Sequence, residues 1–423
     1  MNKLHINWKE VKLGDIVYFN PKESLIKGKI YKKVSMDCLK PKTREIIKYE
    51  LDKFKGGSKF RNGDTLFARI TPCLENGKIA QVSFLDNKEI GFGSTEFIVL
   101  REKENITLND YIYYLFITDK IKNIAIKSMT GTSGRQRVQE DVLKYTIVKL
   151  PPLAEQKRIA SILSALDDKI ELNNKTNKIL EEMAQTIFKE WFINFNFPNE
   201  DGKPYKKSGG EMIDSELGKI PKGWKVDIIS NFFNVTIGKT PPRKEIECFS
   251  KNCKDTKWVS ISDMGNSGLF IVDTSEYLTS EAIKKYNVNI VPQNTVILSF
   301  KLTIGRVSIT SEDMTTNEAI AHFNSYNNFI NEYLYFYLKI FNYRVLGNTS
   351  SIAEAINSKI IKSIKIIIPK ENTLNKFHNA VFDMFNLIKN NQIENEKLSN
   401  IRDSLLPKLM TPKGRRADGE IRI

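Results

Sequence analysis

Residues 150–170 read LPPLAEQKRIASILSALDDKI and mark an abrupt change in the pattern of the sequence. The segment before them, KYTIVKL (144–150), alternates as a strand does, and two prolines end it. From Leu153, apolar residues recur every three or four positions over about forty residues, which predicts a long amphipathic helix in mid-chain. A helix of this length exposes its apolar stripe unless another element covers it.

The covering element is predicted to be a second copy of the same helix. SIKIIIPK (363–370) repeats a strand that ends on proline, and the segments from Pro151 and Pro369 onward align without a gap. Proline suits the first turn of a helix, where its missing N–H would be unpaired anyway. Spacings of three and four place the matched apolar residues on one stripe, the seam of a coiled coil. The two copies are therefore expected to bury their seams against each other.

The seams predict an antiparallel register, because both place two asparagines at matching positions. In this register Asn173 meets Asn395, and Asn177 meets Asn391. The aliphatic and aromatic pairs are Leu163 with Leu405, Ile170 with Leu398, Ile187 with Val381 and Trp191 with Phe377. A slip of one heptad would leave amide groups unpaired at about 1–3 kcal/mol each. The asparagines are thus predicted to fix the register, the alternative being solvent-facing residues of an asparagine-rich chain.

Arg402 is the one residue that does not suit this seam. The register sets it opposite Leu166. We expect its aliphatic stem to pack there while its head reaches solvent or Asp167.

The regions ahead of the two helices also repeat, though more loosely. RNGDTLFARITPCLENGKIAQV (61–82) resembles VPQNTVILSFKLTIGRVSI (291–309), STEF (94–97) resembles TNEA (316–319), NDYIYYLF (109–116) resembles NEYLYFYL (331–338), and TGTSG (130–134) resembles LGNTSS (346–351). The predicted layout is a first domain (1–150), a long helix (151–195), a connector rich in Gly, Pro and charge (196–222), a second domain (223–368), a second long helix (369–410) and a tail (411–423).

Charge and composition narrow the partners and the compartment. The formal net charge is +15, and residues 1–150 carry 28 Lys and Arg against 18 Asp and Glu. A polyanion such as DNA fits this excess, and so does a merely lysine-rich solvated surface. No apolar run approaches the ~20 residues of a membrane span, the start lacks a signal peptide, and Cys and His show no metal-site spacing. We expect a cytoplasmic protein with no membrane span and no metal.

No motif of catalysis is complete. GKT (238–240) resembles the end of a P-loop, but that motif needs an earlier glycine where Phe233 stands. GKTPPRK (238–244) is therefore interpreted as a basic loop. Neither GxGxxG after a strand nor the Asn/Asp-Pro-Pro-aromatic tetrad of base methylation occurs. His322 and His378 lie in apolar patterns and are interpreted as packed or surface histidines, so no catalytic residue is assigned.

Basic residues at turns are the candidates for DNA contact. Arg69 and Lys78 flank the loop ITPCLENG (70–77), and Lys301 and Arg306 flank the equivalent LTIG (302–305). Lys or Arg beside Gly and Thr in a loop can donate to phosphates and to base edges. The predicted DNA-binding set is Arg69, Thr71, Lys78, Arg135, Arg137, Lys239, Thr240, Arg243, Lys301, Thr303 and Arg306. The aromatic runs at 111–116 and 333–337 are interpreted as core rather than as base-stacking surfaces.

Taken together, these segments resemble the specificity (S) subunit of a type I restriction–modification system. The stretch from LPPLAEQKRIASILSALDDKI to EEMAQTIFKEWFINF (150–195) is very similar to the central helix of that family, and KSGGEMIDSELGKIPKGW (207–224) resembles its link into the second domain. SFKLTIGRVSI (299–309) and LLPKLM (405–410) fit its second domain and final helix. The second helix departs from the first, because it lacks the PLxEQ stretch.

The resemblance implies an α+β fold in which two target-recognition domains, each a mixed, mostly antiparallel sheet with helices, are joined by two long antiparallel helices. Each domain would read one half of a split double-stranded DNA site. The chain itself would be non-catalytic and hold no cofactor. S-adenosylmethionine would bind the methyltransferase subunits, of which two are expected, and ATP the restriction subunits.

The helix would act as a spacer, since about 39 residues at ~1.5 Å each span roughly 58 Å, comparable to one to two turns of DNA. Two other interpretations stay open at this point. One is a stand-alone two-domain DNA-binding regulator, and the other is an enzyme with an unrecognised active site.

Overall fold

The computed structural model describes residues 8–325, 328–346 and 356–412. Contacts divide the chain into two compact units, with boundaries after Glu171 and after Glu396, so that residues from Lys397 onward join the first unit. Each long helix therefore contributes one part to each unit, whereas the sequence layout set the helices apart from the domains. The predicted turn at 346–351 and the predicted tail at 411–423 lie largely outside the described residues.

The first unit begins with short strands and ends in the long helices. Its strands are β1 (Lys9–Lys12), β2 (Val17–Phe19), β3 (Ile30–Val34), β4 (Glu50–Lys53), β5 (Ser58–Phe60), β6 (Thr65–Ala68), β7 (Ile79–Gln81), β8 (Gly91–Gly93), β9 (Phe97–Glu102) and β10 (Ile147–Leu150). Its short helices are α1 (Leu13–Ile16), α2 (Asn109–Phe116), α3 (Asp119–Lys127) and α4 (Glu140–Tyr145), with a 3₁₀ turn at Met36–Cys38.

Two sheets and a strand pair organise the first unit. One sheet has the order β2-β9-β6-β7, the second has the order β4-β3-β8-β5, and β1 pairs with β10. β3 and β8 run parallel, with Lys33 opposite Phe92, while the other neighbours are antiparallel. Alternate residues of β6 serve two cores, because Phe67 packs with the aromatic residues of α2 and Leu66 packs in a smaller cluster around Phe60.

The second unit repeats this plan with added strands. Its strands are β11 (Met212–Ser215), β12 (Gly218–Pro221), β13 (Lys225–Ile228), β14 (Asn234–Ile237), β15 (Phe249–Ser250), β16 (Thr256–Val259), β17 (Phe270–Ile271), β18 (Glu276–Leu278), β19 (Val296–Ser299), β20 (Val307–Thr310), β21 (Thr315–Thr316), β22 (Ile320–Asn324) and β23 (Lys365–Ile368). Its short helices are α6 (Ile261–Asn266), α7 (Ser280–Tyr286), α8 (Asn331–Ile340) and α9 (Ser358–Lys362), with 3₁₀ turns at Ile229–Asn231, Ile246–Cys248, Asn328–Ile330 and Tyr343–Leu346.

Strand order shows that the two units share one scaffold. The sheet β14-β22-β19-β20-β17 repeats β2-β9-β6-β7, and β13 pairs with β23 as β1 pairs with β10. The parallel pair recurs as well, with Val259 opposite Thr316 where the first unit has Val34 opposite Gly93. The prediction of a duplicated α+β fold is confirmed. The aromatic runs are core, since residues Tyr111–Phe116 of α2 are all buried.

The long helices are α5 (Leu153–Phe188) and α10 (Glu371–Leu409), which we call the first and second long helix. The first long helix is shorter than predicted, because a π-helical turn (Lys189–Ile193) follows it. Contacts of Asp167 with Arg402 in the first unit, and of Trp191 with Phe377 in the second, show that the helices run antiparallel.

Candidate nucleic-acid interface and the long-helix pair

Three loops of the first unit converge on the start of the β6–β7 connection. The Arg69 amide donates to the Glu96 carbonyl at 2.9 Å, and the Thr71 amide donates to the Gln136 carbonyl at 3.0 Å. The Val138 amide in turn donates to the Arg69 carbonyl at 2.8 Å. These backbone bonds bring Arg69, Thr71 and the loop that carries Arg135 and Arg137 to one edge of the unit, as a shared DNA-contacting surface would require.

The three arginines of this cluster have different surroundings. Arg137 pairs with Glu96 at 2.6 Å, and this hydrogen bond lowers the pKa of the Glu96 carboxyl. Arg135 is exposed. Arg69 is partly buried, and its Nε has no hydrogen-bond partner among the described residues. Arg135 is therefore the arginine of this cluster most available to an outside acceptor, because Arg137 already pairs with Glu96 and the Arg69 Nε is buried.

Lys78 and Arg306 occupy equivalent positions and are both held within the protein. Lys78 Nζ donates to the Met36 carbonyl at 3.0 Å, and Arg306 Nη1 donates to the Ile261 carbonyl at 2.5 Å. Met36 and Ile261 are each the first residue of a short helix that follows the parallel strand of their unit. The shared contact is an internal anchor that sequence reasoning missed, because it depends on a residue far away in the chain. DNA contact by either side chain stays a prediction.

Gly265 shows how closely the Arg306 head is held. A Cβ at Gly265 would lie 2.4 Å from Arg306 Nη1, so the guanidinium occupies the space of the missing side chain.

The strand register shifts by one residue the sequence alignment between the loop after β6 and the loop after β19. Arg69 and Phe300 donate the matching backbone bonds to the loop before β9 and β22, so Arg69 corresponds to Phe300 and not to Lys301.

In the second unit the basic loop 238–244 converges with the loops at 300–305 and 316–319. The Gly238 amide donates to the Ile320 carbonyl at 3.1 Å, and the Lys239 amide donates to the Thr316 carbonyl at 3.0 Å. A Cβ at Gly238 would lie 2.1 Å from Thr316 Oγ1, which explains the glycine there. The glycine of GKT thus serves a close contact between two loops, consistent with the interpretation of a basic loop.

The side chains of the second cluster also differ in availability. Lys239, Lys301 and Thr303 are exposed. The hydroxyl of Thr240 donates to Glu318. Arg243 pairs with Glu276 at 2.9 Å, and its guanidinium lies 4.2 Å and 4.6 Å from the ring centroids of Phe249 and Trp258. Arg243 is thereby held in one orientation by stacking and by charge.

The PLxEQ stretch of the first long helix ties that helix to the first unit. Gln156 is fully buried, and its Nε2 donates to the carbonyls of Ile106 and Pro151, both at 2.9 Å. Its Oε1 accepts from the Leu108 amide at 3.2 Å. At the matching position of the second long helix stands Leu374, which is buried and apolar. The departure of the second helix from the motif is thus an exchange of a polar contact for an apolar one.

The asparagines of the two long helices form amide pairs in the second unit. Asn173 Nδ2 donates to Asn395 Oδ1, and Asn391 Nδ2 donates to Asn177 Oδ1, both at 2.8 Å. Asn173 is 3% exposed and Asn391 8%, so these two do not face solvent. Asn173 also donates to Glu394 at 2.8 Å. Each buried amide finds a partner in this register; that the amides select the register stays a prediction.

Arg402 forms a buried ion pair in the first unit. Its Nη1 lies 2.6 Å from Asp167 Oδ1, and both side chains are nearly inaccessible to solvent, at 7% and 3% exposed. The Tyr114 hydroxyl donates to the other Asp167 oxygen at 2.7 Å. Burial alone would lower the pKa of Arg402, but Asp167 and Asp403 raise it above its usual value. Of the two expectations for this head group, the structure shows Asp167 and not solvent.

The two histidines within apolar patterns have structural surroundings. His322 is fully buried, with Thr236 Oγ1 2.9 Å from Nδ1 and Thr316 Oγ1 2.6 Å from Nε2. Burial lowers the pKa of His322 to about 4, so the ring is neutral near pH 7. His378 lies 3.1 Å from Glu332, whose pKa is raised by burial.

The described residues contain neither a cluster of metal-ligating side chains nor a helix that could span a membrane. No group of three or more His, Cys, Asp or Glu side chains within 8–325, 328–346 and 356–412 is placed to hold a metal ion. None of the helices in the same ranges is both long and apolar enough to cross a membrane.

Comparison with known proteins agrees with the duplicated scaffold. A profile of the type I restriction modification DNA specificity domain matches residues 5–182 and again 221–402. The chain belongs to this family. The two matches each include one of the loop clusters described above, so the family's specificity domain occurs twice in the chain. Its role is therefore DNA sequence specificity.

Two specificity subunits of type I restriction enzymes are similar to this chain over most of their length. The HindI specificity subunit of Haemophilus influenzae is 27% identical over 83% of this chain and 86% of its own length. The MjaIX specificity subunit of Methanocaldococcus jannaschii is 32% identical over 75% of this chain and 70% of its own. The crystal structure of the type I S subunit from M. genitalium covers 96% of both chains with a TM-score of 0.55 at 16% identity, which supports the fold.

Proposed function

We propose that this specificity protein reads a bipartite double-stranded DNA site in the cytoplasm and presents it to methyltransferase and restriction subunits, without catalysing a reaction itself. The observation that carries the proposal is the repeated loop cluster. In each unit the connection after β6 or β19 is fastened by a backbone bond to the loop before β9 or β22, and basic side chains surround the junction. Two equivalent clusters in one chain suit two half-sites.

Within each cluster the exposed cations are the candidates for DNA contact. Arg135 in the first unit and Lys239 and Lys301 in the second are exposed. Arginine can pair bidentately with guanine, whereas lysine acts as a point charge that suits phosphate. We assign Arg135 to recognition of the first half-site on this basis, and Arg69 stays a candidate because its backbone lies in the same cluster. Arg137 and Arg243 are held by carboxylates and would orient the loops.

Co-expression with a methyltransferase subunit from the same locus tests the proposal. We expect methylated adenines throughout the host DNA at one split motif, as mapped by sequencing that reads modified bases. A chain that binds DNA tightly and specifically but ignores the methyltransferase would instead be a stand-alone regulator. Cleavage or methylation by the purified chain alone would identify an enzyme. Either of the last two results would contradict the proposal.

The part of the first long helix that belongs to the second unit carries a stripe of exposed apolar side chains. Leu172, Ile179 and Met183 are 58%, 57% and 49% exposed, and their spacing of seven and four places them on one face of the first long helix. Exposed apolar side chains grouped in this way mark interaction surfaces. We propose that this exposed stripe binds the methyltransferase subunit, which would carry S-adenosylmethionine, as ATP would be carried by the restriction subunit.

A single charge in the stripe tests this docking surface. Met183→Glu should abolish co-purification of the methyltransferase while leaving DNA binding by the chain intact, because the carboxylate would be desolvated on docking. Lys178→Glu is the matched control, since the Lys178 side chain is 75% exposed on the same helix and pairs with exposed Glu182 across 3.9 Å. Retention of the methyltransferase by Met183→Glu would place the docking surface elsewhere.

A further inference from the structure

The duplication creates a pairing problem for the long helices. Because they are copies, the first long helix of one chain has the pattern to pair with the first long helix of a second chain. In that arrangement Asn173 would meet Asn177 of the second copy, and Leu163 would meet Ile187 of the second copy. Pairing of two first long helices would therefore let the asparagine amides pair and would bury the apolar seam, as the native pairing does.

One seam layer differs in charge between the copies, and this layer holds the buried ion pair. At the position that Arg402 occupies in the second long helix, the first long helix has Ala184. Pairing of two first helices would therefore set Asp167 against Ala184. The Asp167 side chain is 3% exposed in the native unit, where it has Arg402 at 2.6 Å and the Tyr114 hydroxyl at 2.7 Å. Of these two described partners, the tyrosine would remain and the arginine would be lost.

The penalty falls chiefly on Asp167. Arg402 also donates to Asp403, at 2.8 Å and 3.0 Å, and Asp403 travels with it on the same helix. Among the described residues, the cation that bonds Asp167 is Arg402, which comes from the other helix. A carboxylate left buried without its cation destabilises the pairing strongly. In an antiparallel pair of identical helices this layer occurs twice by symmetry, so a dimer of first long helices carries the penalty twice.

We infer that the Asp167–Arg402 pair is the specificity determinant that makes the first long helix select the second long helix of its own chain and reject a second copy of itself. Given the proposed function, the consequence is that each particle carries one unit of each kind and reads an asymmetric site. Pairing of like helices would instead combine two identical units, which read the same half-site twice. The pairing itself does not depend on DNA, so it can be tested separately.

Cysteine reporters in the full-length chain measure pairing of like helices. The four native cysteines are replaced by alanine, and Leu163→Cys and Ile187→Cys are introduced together. The chain is unfolded and refolded so that the pairing equilibrates. In the native pairing these positions face Leu405 and Val381, and no disulfide joins two chains. With Asp167→Ala and Arg402→Ala added, we expect the covalent dimer to increase at least about tenfold, because no carboxylate is then buried alone.

Two matched variants complete the test. Lys178→Ala with Glu182→Ala removes an exposed ion pair from the same helix and should leave the dimer at the parent level. Asp167→Arg with Arg402→Asp restores a pair of reversed sign and should return the chain to a monomer. If the double alanine variant does not fold, Asp167→Leu with Arg402→Leu fills the same layer with apolar volume and carries the same expectation.

Folding is checked by an internal disulfide between cysteines at 163 and 405, which forms only in the native pairing. The inference is overturned if the parent chain already dimerises through 163 and 187 as much as the variants do. It is equally overturned if folded variants that lack both charges stay monomeric. Both readouts are made without DNA or a methyltransferase, so a failure here leaves the DNA-reading function untouched.

Discussion

The two units show which parts of a duplicated protein are kept and which diverge. The strand order, the parallel pair and the carbonyl anchored by Lys78 or Arg306 recur in both. Two buried polar contacts do not recur. Asp167 meets Arg402 in the first unit, while the matching layer of the second unit contains Ala184, and buried Gln156 corresponds to buried Leu374.

The backbone hydrogen bonds that build the loop clusters are kept in both units, whereas individual buried side-chain contacts are free to change. A loop cluster needs the same backbone bonds in both units to present any side chains at all. A buried polar contact needs only that its own partners are complete, so either copy can replace it with an apolar pair. Sites where only one unit carries a polar group are therefore where the units should respond differently to mutation and pH.

The largest expected effect comes from exchanging a whole domain. Replacing residues 1–150 with the matching part of a relative should change one half of the methylated motif completely and leave the other half as it was. The reason is that each unit has its own loop cluster. Methylation mapping of the host DNA measures both halves at once. A motif altered in both halves, or in neither, would show that the two clusters do not act separately.

Breaking the buried ion pair should cost the most stability of any single substitution considered. Arg402→Ala leaves Asp167 buried without a cation, which typically destabilises a protein by about 3–5 kcal/mol. Urea unfolding of the full chain, followed by circular dichroism, measures the loss. Lys178→Ala is the control, because exposed pairs contribute about 0–1 kcal/mol. Equal costs for the two variants would mean that the pair is well solvated.

Acid should destabilise the second unit through His322, a buried histidine that has no counterpart in the first unit. His322 has a pKa lowered from 6.5 to about 4 by burial, so the folded unit binds fewer protons than the unfolded chain. Its contribution is complete above pH 6.5 and is lost as the pH falls toward 4. The loss is roughly 2 kcal/mol at pH 5. The matching residue of the first unit is Val99, which does not titrate.

The control for this titration copies the first unit into the second. His322→Val removes the titrating group, so the difference in unfolding free energy between pH 7 and pH 5 should shrink by that amount. Urea unfolding of both chains at the two pH values gives this difference directly. An unchanged pH dependence in His322→Val would assign the acid sensitivity to other groups, among which Glu332 acts in the opposite direction because its pKa is raised.

Periodicity and repetition were enough to predict much of the fold. The heptad spacing and the paired prolines predicted two long helices, and the repeats predicted two α+β domains, which is confirmed. Contacts between distant residues were not predictable. Nothing near Lys78 or Arg306 in the chain indicates the carbonyl that each one anchors, and the one-residue shift between Arg69 and Lys301 became visible only through strand pairing. The assignment of individual loop residues to DNA stays a prediction.

Gln156 offers a smaller test of the exchange between polar and apolar packing. Gln156→Leu should destabilise the first unit by about 1–3 kcal/mol, because the Leu108 amide and the Ile106 carbonyl lose a buried partner. The reciprocal change, Leu374→Gln, should also destabilise, because it buries an amide among apolar residues. Thermal unfolding measures both. A neutral result for Gln156→Leu would show that water reaches these backbone groups.

The smallest effects should separate DNA contacts from internal anchors. Arg135→Ala should lower the slope of log affinity against log salt by about one if Arg135 contacts a phosphate, with sequence preference unchanged. Arg69→Ala should weaken binding by about 1–3 kcal/mol and relax the preference at one base if its guanidinium pairs with guanine.

Arg306→Ala should behave differently from both, because its head is bound to the Ile261 carbonyl at 2.5 Å and fills the space over Gly265. We expect Arg306→Ala to lower the melting temperature of the protein in thermal unfolding. The salt slope of DNA binding should stay unchanged, as measured by fluorescence anisotropy on a DNA duplex that carries the mapped motif. Lys78→Ala should match it in the first unit. If Arg306→Ala instead changed the salt slope at an unchanged melting temperature, the residue would belong to the DNA interface and the anchor would be incidental.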